Sequence, residues 1–105
     1  MTTKQISIET ITANSSKAMD RIQESIFKTP LLPSMRYGSK LMFKAENFQE
    51  TGSFKIRGAL SKLTALAKEK NLEEVKFITA SSGNHGIACS KASSILGASL
   101  TVVLP

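Results

Sequence analysis

The sequence predicts an α/β fold, with an incomplete parallel sheet and flanking helices. Residues 75–105 run in the order apolar strand, glycine-bearing loop, helix, glycine and second apolar strand, which is the order of a βαβ unit. Two earlier segments carry apolar residues at helical spacing. Two loops that contain glycine, at residues 51–53 and 81–86, each stand directly before a predicted helix. The strands at 75–80 and 99–105 are therefore expected to be parallel, joined by a right-handed crossover.

The first half of the chain is predicted as a helix, a connector and a strand. Residues 7–27 form the helix, with Asn14 or Ser15 as candidate caps of an internal break. The connector KTPLLPSMRYGSK has two prolines and a glycine, which oppose a helix and favour extended and turn geometry. Alternating apolar residues in KLMFKAEN predict a strand over 40–47. The apolar stripe of the helix comprises Ala18, Met19, Ile22 and Ile26.

The second half is predicted as two more helices and the two parallel strands. A helix over 53–70 would end at Asn71. Gly58, within it, costs about 1 kcal/mol relative to Ala, so it either serves close packing or is a neutral defect. The loop SSGNHG follows at 81–86, and a third helix at 87–96 ends before Gly97. The stripe of the second helix comprises Ile56, Leu60, Leu63 and Ala67.

Composition argues against several classes of function. The formal net charge is +6, but the basic residues are scattered and accompanied by few aromatics, so no nucleic acid is expected as a partner. No apolar run approaches a signal peptide or the ~20 residues of a membrane span, so we expect a cytoplasmic protein without a membrane partner. Cys89 is the single cysteine. It allows no intramolecular disulfide and no multi-cysteine zinc site, and no metal is expected.

Both glycine-bearing loops have the chemistry of ligand sites. In SSGNHG, Gly83 and Gly86 would let backbone approach a ligand, and a helix start favours an anion such as a carboxylate. The alternative is a capped turn, since Ser and Asn also begin helices. In TGSFKIRGAL, the helix start and apolar neighbours would disfavour the ammonium form of Lys55. A neutral amine is what imine formation requires. The alternative is an ordinary solvated lysine.

The two loops together resemble a known family. ENFQETGSFKIRGAL followed, after a spacer, by SSGNHGIA resembles the pyridoxal-phosphate fold-type II (tryptophan synthase β-like) enzymes, in the branch of the serine/threonine dehydratases and serine racemase. The likeness extends from about Ile8 to Pro105 and includes TPLL, LMFKAEN and the βαβ segment. The resemblance implies that pyridoxal 5'-phosphate is the cofactor.

The resemblance also assigns roles to individual residues. Lys55 matches the lysine that holds the cofactor through an imine, and Phe54 matches the aromatic residue that packs the cofactor. Asn84 matches the asparagine that hydrogen-bonds the ring hydroxyl oxygen. Ser82 matches the racemase position, where a serine faces the lysine across the cofactor plane. The cradle for the substrate carboxylate corresponds to Ser81, Ser82, Gly83, Asn84 and His85.

These assignments imply elimination of water and ammonia from L-threonine or L-serine, with a 2-oxo acid as product. Lys55 would remove the α-proton. If Ser82 returned a proton on the opposite face, the outcome would be racemisation. The family's glycine-rich phosphate loop has no counterpart among these residues, so a third alternative is a non-catalytic, truncated fragment.

The resemblance finally implies a domain organisation. Residues 1–71 would be the N-terminal part of the large cofactor-binding domain, and residues 72–105 the first βαβ unit of the small domain. The chain is expected to be truncated, and a full-length form to be a homodimer with a small amino-acid substrate.

Overall fold

The fold is an α/β arrangement, as predicted, in a computed structural model that describes residues 5–105. Lys4, one of the scattered basic residues, lies outside the described residues. Short 3₁₀ turns occupy Gln23–Ser25, Glu46–Phe48 and Leu72–Glu74. The helices and strands are α1 (Ile8–Ile22), β1 (Leu31–Ser34), β2 (Gly38–Lys44), α2 (Lys55–Leu66), β3 (Lys76–Ala80), α3 (Asn84–Leu96) and β4 (Ser99–Val103).

Helix α1 is continuous, so the predicted break at Asn14 or Ser15 is wrong. It begins at Ile8 because Ser7 Oγ accepts a hydrogen bond from the backbone N–H of Thr10 at 3.1 Å. It ends at Ile22, earlier than the predicted residue 27. The Gln49 side chain explains the early end, since it accepts from the N–H of Phe27 and donates to its carbonyl, each at 2.9 Å. A side chain thus satisfies backbone groups that a longer helix would have used.

The predicted connector contains a strand of its own. β1 pairs antiparallel with β2, with Leu31 opposite Lys44. Ser34 Oγ closes the turn between them by accepting from the N–H groups of Arg36 and Tyr37, each at 3.2 Å. The extended and turn geometry was predicted, but the pairing was not, because composition does not specify register. β2 also ends at Lys44, before the predicted residue 47, and a 3₁₀ turn begins at Glu46.

Helix α2 lies at the centre of the hydrophobic core, with α1 on one side and α3 on the other. Leu60 is fully buried. α2 ends at Leu66, before the predicted residue 70, so Ala67 falls outside the helix and is exposed rather than part of the stripe. Asn71 does not end α2. It caps the next 3₁₀ turn by accepting from the N–H of Glu73 at 3.2 Å. The buried core consists of Ile22, Ile56, Leu60, Leu63, Ala88 and Ala92.

The βαβ unit is confirmed as parallel, with Lys76 of β3 beside Ser99 of β4. The glycine after α3 is also as predicted. Gly97 has the left-handed φ of +67° that favours glycine, and the N–H of Ala98 reaches the carbonyl of Ser93 at 2.9 Å. α3 itself begins at Asn84, one turn before the predicted residue 87, so the loop leaving β3 is shorter than expected.

Two kinds of feature are absent from the part of the chain that the structure describes. Among residues 5–105, no helix combines the length and apolar character that crossing a bilayer requires. Within the same range, no three His, Cys, Asp or Glu side chains are grouped so that they could hold a metal ion.

Candidate functional site

The turn before α2 presents Lys55 as the first residue of that helix. Gly52 has a φ of +77°, which favours glycine, and its N–H donates to the carbonyl of Gln49 at 2.8 Å. The predicted helix start around Lys55 is therefore confirmed. Its neighbours do not shield it as expected: Ile56 points into the core, whereas Phe54 is 62% exposed. Lys55 is itself exposed, since consecutive helical residues face different directions.

Lys55 opens onto a cavity of about 530 Å³ between α2, β3 and α3. Phe54 and His85 line the same cavity, so three of the predicted site residues share one space. Ser81, Ser82, Gly83 and Asn84 do not line it. The residues that sequence reasoning missed are Lys62, Thr79 and Cys89, while the wall is completed mainly by the apolar Leu63, Phe77, Ile78 and Leu100.

The loop leaving β3 is held by Ser81, which caps α3. Ser81 Oγ accepts from the N–H of Gly86 at 2.9 Å and from the N–H of Gly83 at 3.2 Å. The capped-turn interpretation thus accounts for Ser81, because its oxygen satisfies an N–H that the helix leaves free. Ser82 and Asn84 are exposed. Their assigned roles toward substrate and cofactor remain predictions.

Gly86 serves packing, a role that the sequence had not indicated, and its expected approach to a ligand stays a prediction. Gly86 is buried, and a Cβ on it would lie 3.2 Å from Val102 Cγ1 and 3.3 Å from Ser81 Cβ. These contacts are tighter than ordinary van der Waals distances, so the absent side chain lets α3 lie against β4. A Cβ on Gly83 would meet no atom within 4 Å, which leaves that stretch of backbone open.

His85 is part of a short polar chain at the cavity. Its Nε2 lies 3.0 Å from Thr79 Oγ1 and 3.5 Å from Cys89 Sγ. Cys89 is half-buried, and burial raises the pKa of its thiol, so the thiol form is favoured. The signal that could have found it is spacing, because residues four apart on a helix lie on one face.

A second group of polar side chains fixes the start of α2 to the segment before it. Arg57 donates to both carboxylate oxygens of Glu46, from Nε at 2.7 Å and from Nη2 at 2.8 Å. Thr29 Oγ1 donates to Glu46 Oε1 at 2.5 Å. Hydrogen bonding from Arg57, aided by Thr29, lowers the pKa of Glu46 to about 2 from its usual 4.5, although partial burial opposes the shift.

The comparisons with known proteins agree with this fold. A sequence model of the family described as "Pyridoxal-phosphate dependent enzyme" matches residues 22–105. That segment includes the lysine at the start of α2, the loop leaving β3 and the parallel βαβ unit. The chain therefore belongs to the pyridoxal-phosphate dependent enzymes of fold type II, and its cofactor is pyridoxal 5'-phosphate.

Relatives within this family include ammonia-lyases and racemases. L-threo-3-hydroxyaspartate ammonia-lyase of Saccharomyces cerevisiae is 41% identical over 84% of this chain and 28% of its own length. Serine racemase of Mus musculus is 44% identical over 89% of this chain and 29% of its own length. A solved threonine deaminase has a TM-score of 0.73 at 40% identity, over 89% of this chain and 33% of that chain. The chain thus spans about a third or less of each.

The cavity fits the reactive end and the ring of pyridoxal phosphate. Its volume of about 530 Å³ lies in the range of small-molecule sites. Among the lining residues, Lys55 carries an amine that can react with an aldehyde, and Phe54 carries an aromatic ring. Gly58 also lines the cavity, and a Cβ there would meet no atom within 4 Å. Of the two alternatives for Gly58, close packing is therefore wrong. Its position instead leaves space on the cavity side of α2.

Proposed function

We propose that this chain provides the lysine-bearing part of a pyridoxal-phosphate dependent ammonia-lyase that acts on L-threonine or L-serine. The observation that carries the proposal is that Lys55, the first residue of α2, lines the cavity. The ammonia-lyase and threonine deaminase among the relatives support the class of reaction. The products are a 2-oxo acid and ammonia.

The cofactor, when bound, supplies an electron sink for the bond that breaks at the substrate α-carbon. Lys55 accepts the α-proton, because its exposed amine borders the cavity. The bond between the β-carbon and its hydroxyl then breaks, and the oxygen leaves as water with the proton that Lys55 accepted. Hydrolysis of the resulting enamine releases the 2-oxo acid and ammonia.

Other residues of this chain bind and orient the reactants. We propose that Phe54 packs against the cofactor ring and that Asn84 donates to its ring hydroxyl oxygen. Ser81 occupies the N–H of Gly86, whereas the N–H groups of Asn84 and His85 at the start of α3 have no intrahelical acceptor, which suits them to a substrate carboxylate. His85 is oriented at the same helix start by its contact with Thr79 at 3.0 Å.

The assignment of Lys55 can be tested by trapping its imine. Lys62 lines the same cavity and is a matched competitor on the same helix. After incubation with excess pyridoxal phosphate and borohydride reduction, peptide mass mapping should place the pyridoxyl group on Lys55. Lys55→Gln should abolish this adduct, and Lys62→Gln should leave it. An adduct mainly on Lys62 or Lys44 would overturn the assignment.

Serine racemase is a second candidate function, favoured by Ser82. The residue is exposed in the turn before α3, beside Asn84, and the mouse serine racemase is among the relatives. Racemisation needs a proton donor on the cofactor face opposite Lys55, and a serine hydroxyl is such a donor.

A further inference from the structure

A second cavity, of about 400 Å³, lies between the end of α1, β2 and α2. Its walls combine positive charge with apolar surface. The described residues that line it include no acidic side chain. They comprise Lys28, Lys44 and Arg57 with the apolar Met19, Ile26 and Phe27, and Gln23.

The three cationic side chains, Lys28, Lys44 and Arg57, differ in whether a carboxylate balances their charge. Arg57 is occupied by its two hydrogen bonds to Glu46. Lys44 Nζ donates to the carbonyl of Thr29 at 2.5 Å, which leaves two of its three N–H donors and its full charge. Lys28 is exposed and makes no side-chain hydrogen bond within residues 5–105. The cavity therefore holds about two positive charges without a carboxylate partner.

We propose that this cavity binds a small phosphate monoester with an apolar group. Two uncompensated cations match the charge of a dianion better than that of a monoanion. The apolar side chains of Met19, Ile26 and Phe27 would contact the remainder of such a ligand. The proposal does not depend on the proposed function. Arg57 lines this cavity as well as that of Lys55, so a ligand here would contact the helix that presents Lys55.

The probe is phenyl phosphate, and the readout is the methyl NMR signal of labelled methionines in the full chain. Met19 lines the cavity, whereas Met35 is fully exposed elsewhere and is the internal control. We expect a saturable shift of the Met19 signal with little change at Met35. Phenol, which lacks the charge, and benzoate, a monoanion, should bind more weakly. Inorganic phosphate should compete.

Substitutions test which cations hold the probe. Lys28→Gln should weaken binding of phenyl phosphate by about tenfold, because a charge-assisted contact is lost. Lys68→Gln removes the same charge at an exposed position outside the cavity and should leave the affinity unchanged. Lys55→Gln should also leave it unchanged, which separates this site from the proposed cofactor site.

Three results would each overturn the proposal. The first is a Met19 shift that phenol produces equally well. The second is loss of affinity in Lys68→Gln as large as in Lys28→Gln, which would indicate a general charge effect. The third is abolition of the shift by Lys55→Gln, which would place the probe in the other cavity.

Discussion

Two glycines in helical segments, Gly58 and Gly86, have opposite surroundings. A Cβ at position 58 would meet open space, whereas at position 86 it would press on Val102 and Ser81 at 3.2–3.3 Å. Gly58→Ala should therefore raise the free energy of unfolding by about 0.5–1 kcal/mol, because alanine favours the helix. Gly86→Ala should lower it by roughly 1–3 kcal/mol through overpacking. Urea unfolding of both variants measures the change in the free energy of unfolding. Changes of the same sign in the two variants would contradict the difference in packing between the two glycines.

At the same scale, substitution of Ser82 tests which of the two proposed reactions occurs. General acid–base help contributes about 10²–10⁴-fold, so Ser82→Ala should cut any racemisation of serine by roughly that range. β-Elimination should be much less affected, because in the proposed reaction Lys55 serves it on one cofactor face and no proton is returned on the opposite face. The measurement pairs the appearance of D-serine with that of the 2-oxo acid, in wild type and variant.

The control for this comparison is Ser90→Ala, an exposed serine of α3 that lies outside the loop. It should leave both rates unchanged. If Ser82→Ala lowers both rates together, Ser82 binds or positions the substrate and the racemase proposal fails. If the wild type forms no D-serine, the ammonia-lyase proposal stands alone.

At the scale of elements, the Glu46–Arg57 pair joins the start of α2 to the segment that follows β2. The pKa of Glu46 is lowered to about 2 in the folded chain, from 4.5. The pair therefore stabilises the fold fully above pH 4.5, and that contribution is lost as the pH falls from 4.5 toward 2. Glu46→Gln should lower the free energy of unfolding at pH 7 by roughly 1.5–3 kcal/mol.

The pH profile separates this pair from a surface ion pair. In Glu46→Gln, the free energy of unfolding should fall less between pH 4.5 and pH 2 than in the wild type. Urea unfolding at several pH values, monitored by circular dichroism, measures this difference. Glu50→Gln is the matched control, because Glu50 is 59% exposed in its 2.7 Å contact with Lys91. An exposed pair contributes about 0–1 kcal/mol. Equal effects of the two substitutions would show that burial of Glu46 is unimportant.

At the scale of the whole molecule, the sequence contains the proposed imine-forming lysine, Lys55, but no run of glycines that could hold a phosphate group. Its six glycines are separated along the sequence. We predict that the 105-residue chain retains pyridoxal phosphate poorly, because water reversibly hydrolyses the imine and no phosphate anchor then holds the released aldehyde. The absorbance band of bound cofactor should form with excess pyridoxal phosphate and disappear on dialysis. A band that survives dialysis would contradict this.

The sequence by itself determined the local parts of this protein. Apolar periodicity located α1 and α2, and the βαβ order located α3 and predicted parallel pairing. The two motifs led to the family and placed Lys55 at a helix start. Such features depend on residues a few positions apart, where backbone preference and the buried face are set by local spacing.

Only the tertiary structure decided which distant residues meet. It paired β1 with β2, joined Glu46 to Arg57, and brought Lys62 and Cys89 to the cavity of Lys55. It also moved the start of α3 to Asn84, through the contact of Ser81 with Gly86. The physical reason is that such contacts depend on how helices and strands pack across long sequence separations, which local periodicity does not specify.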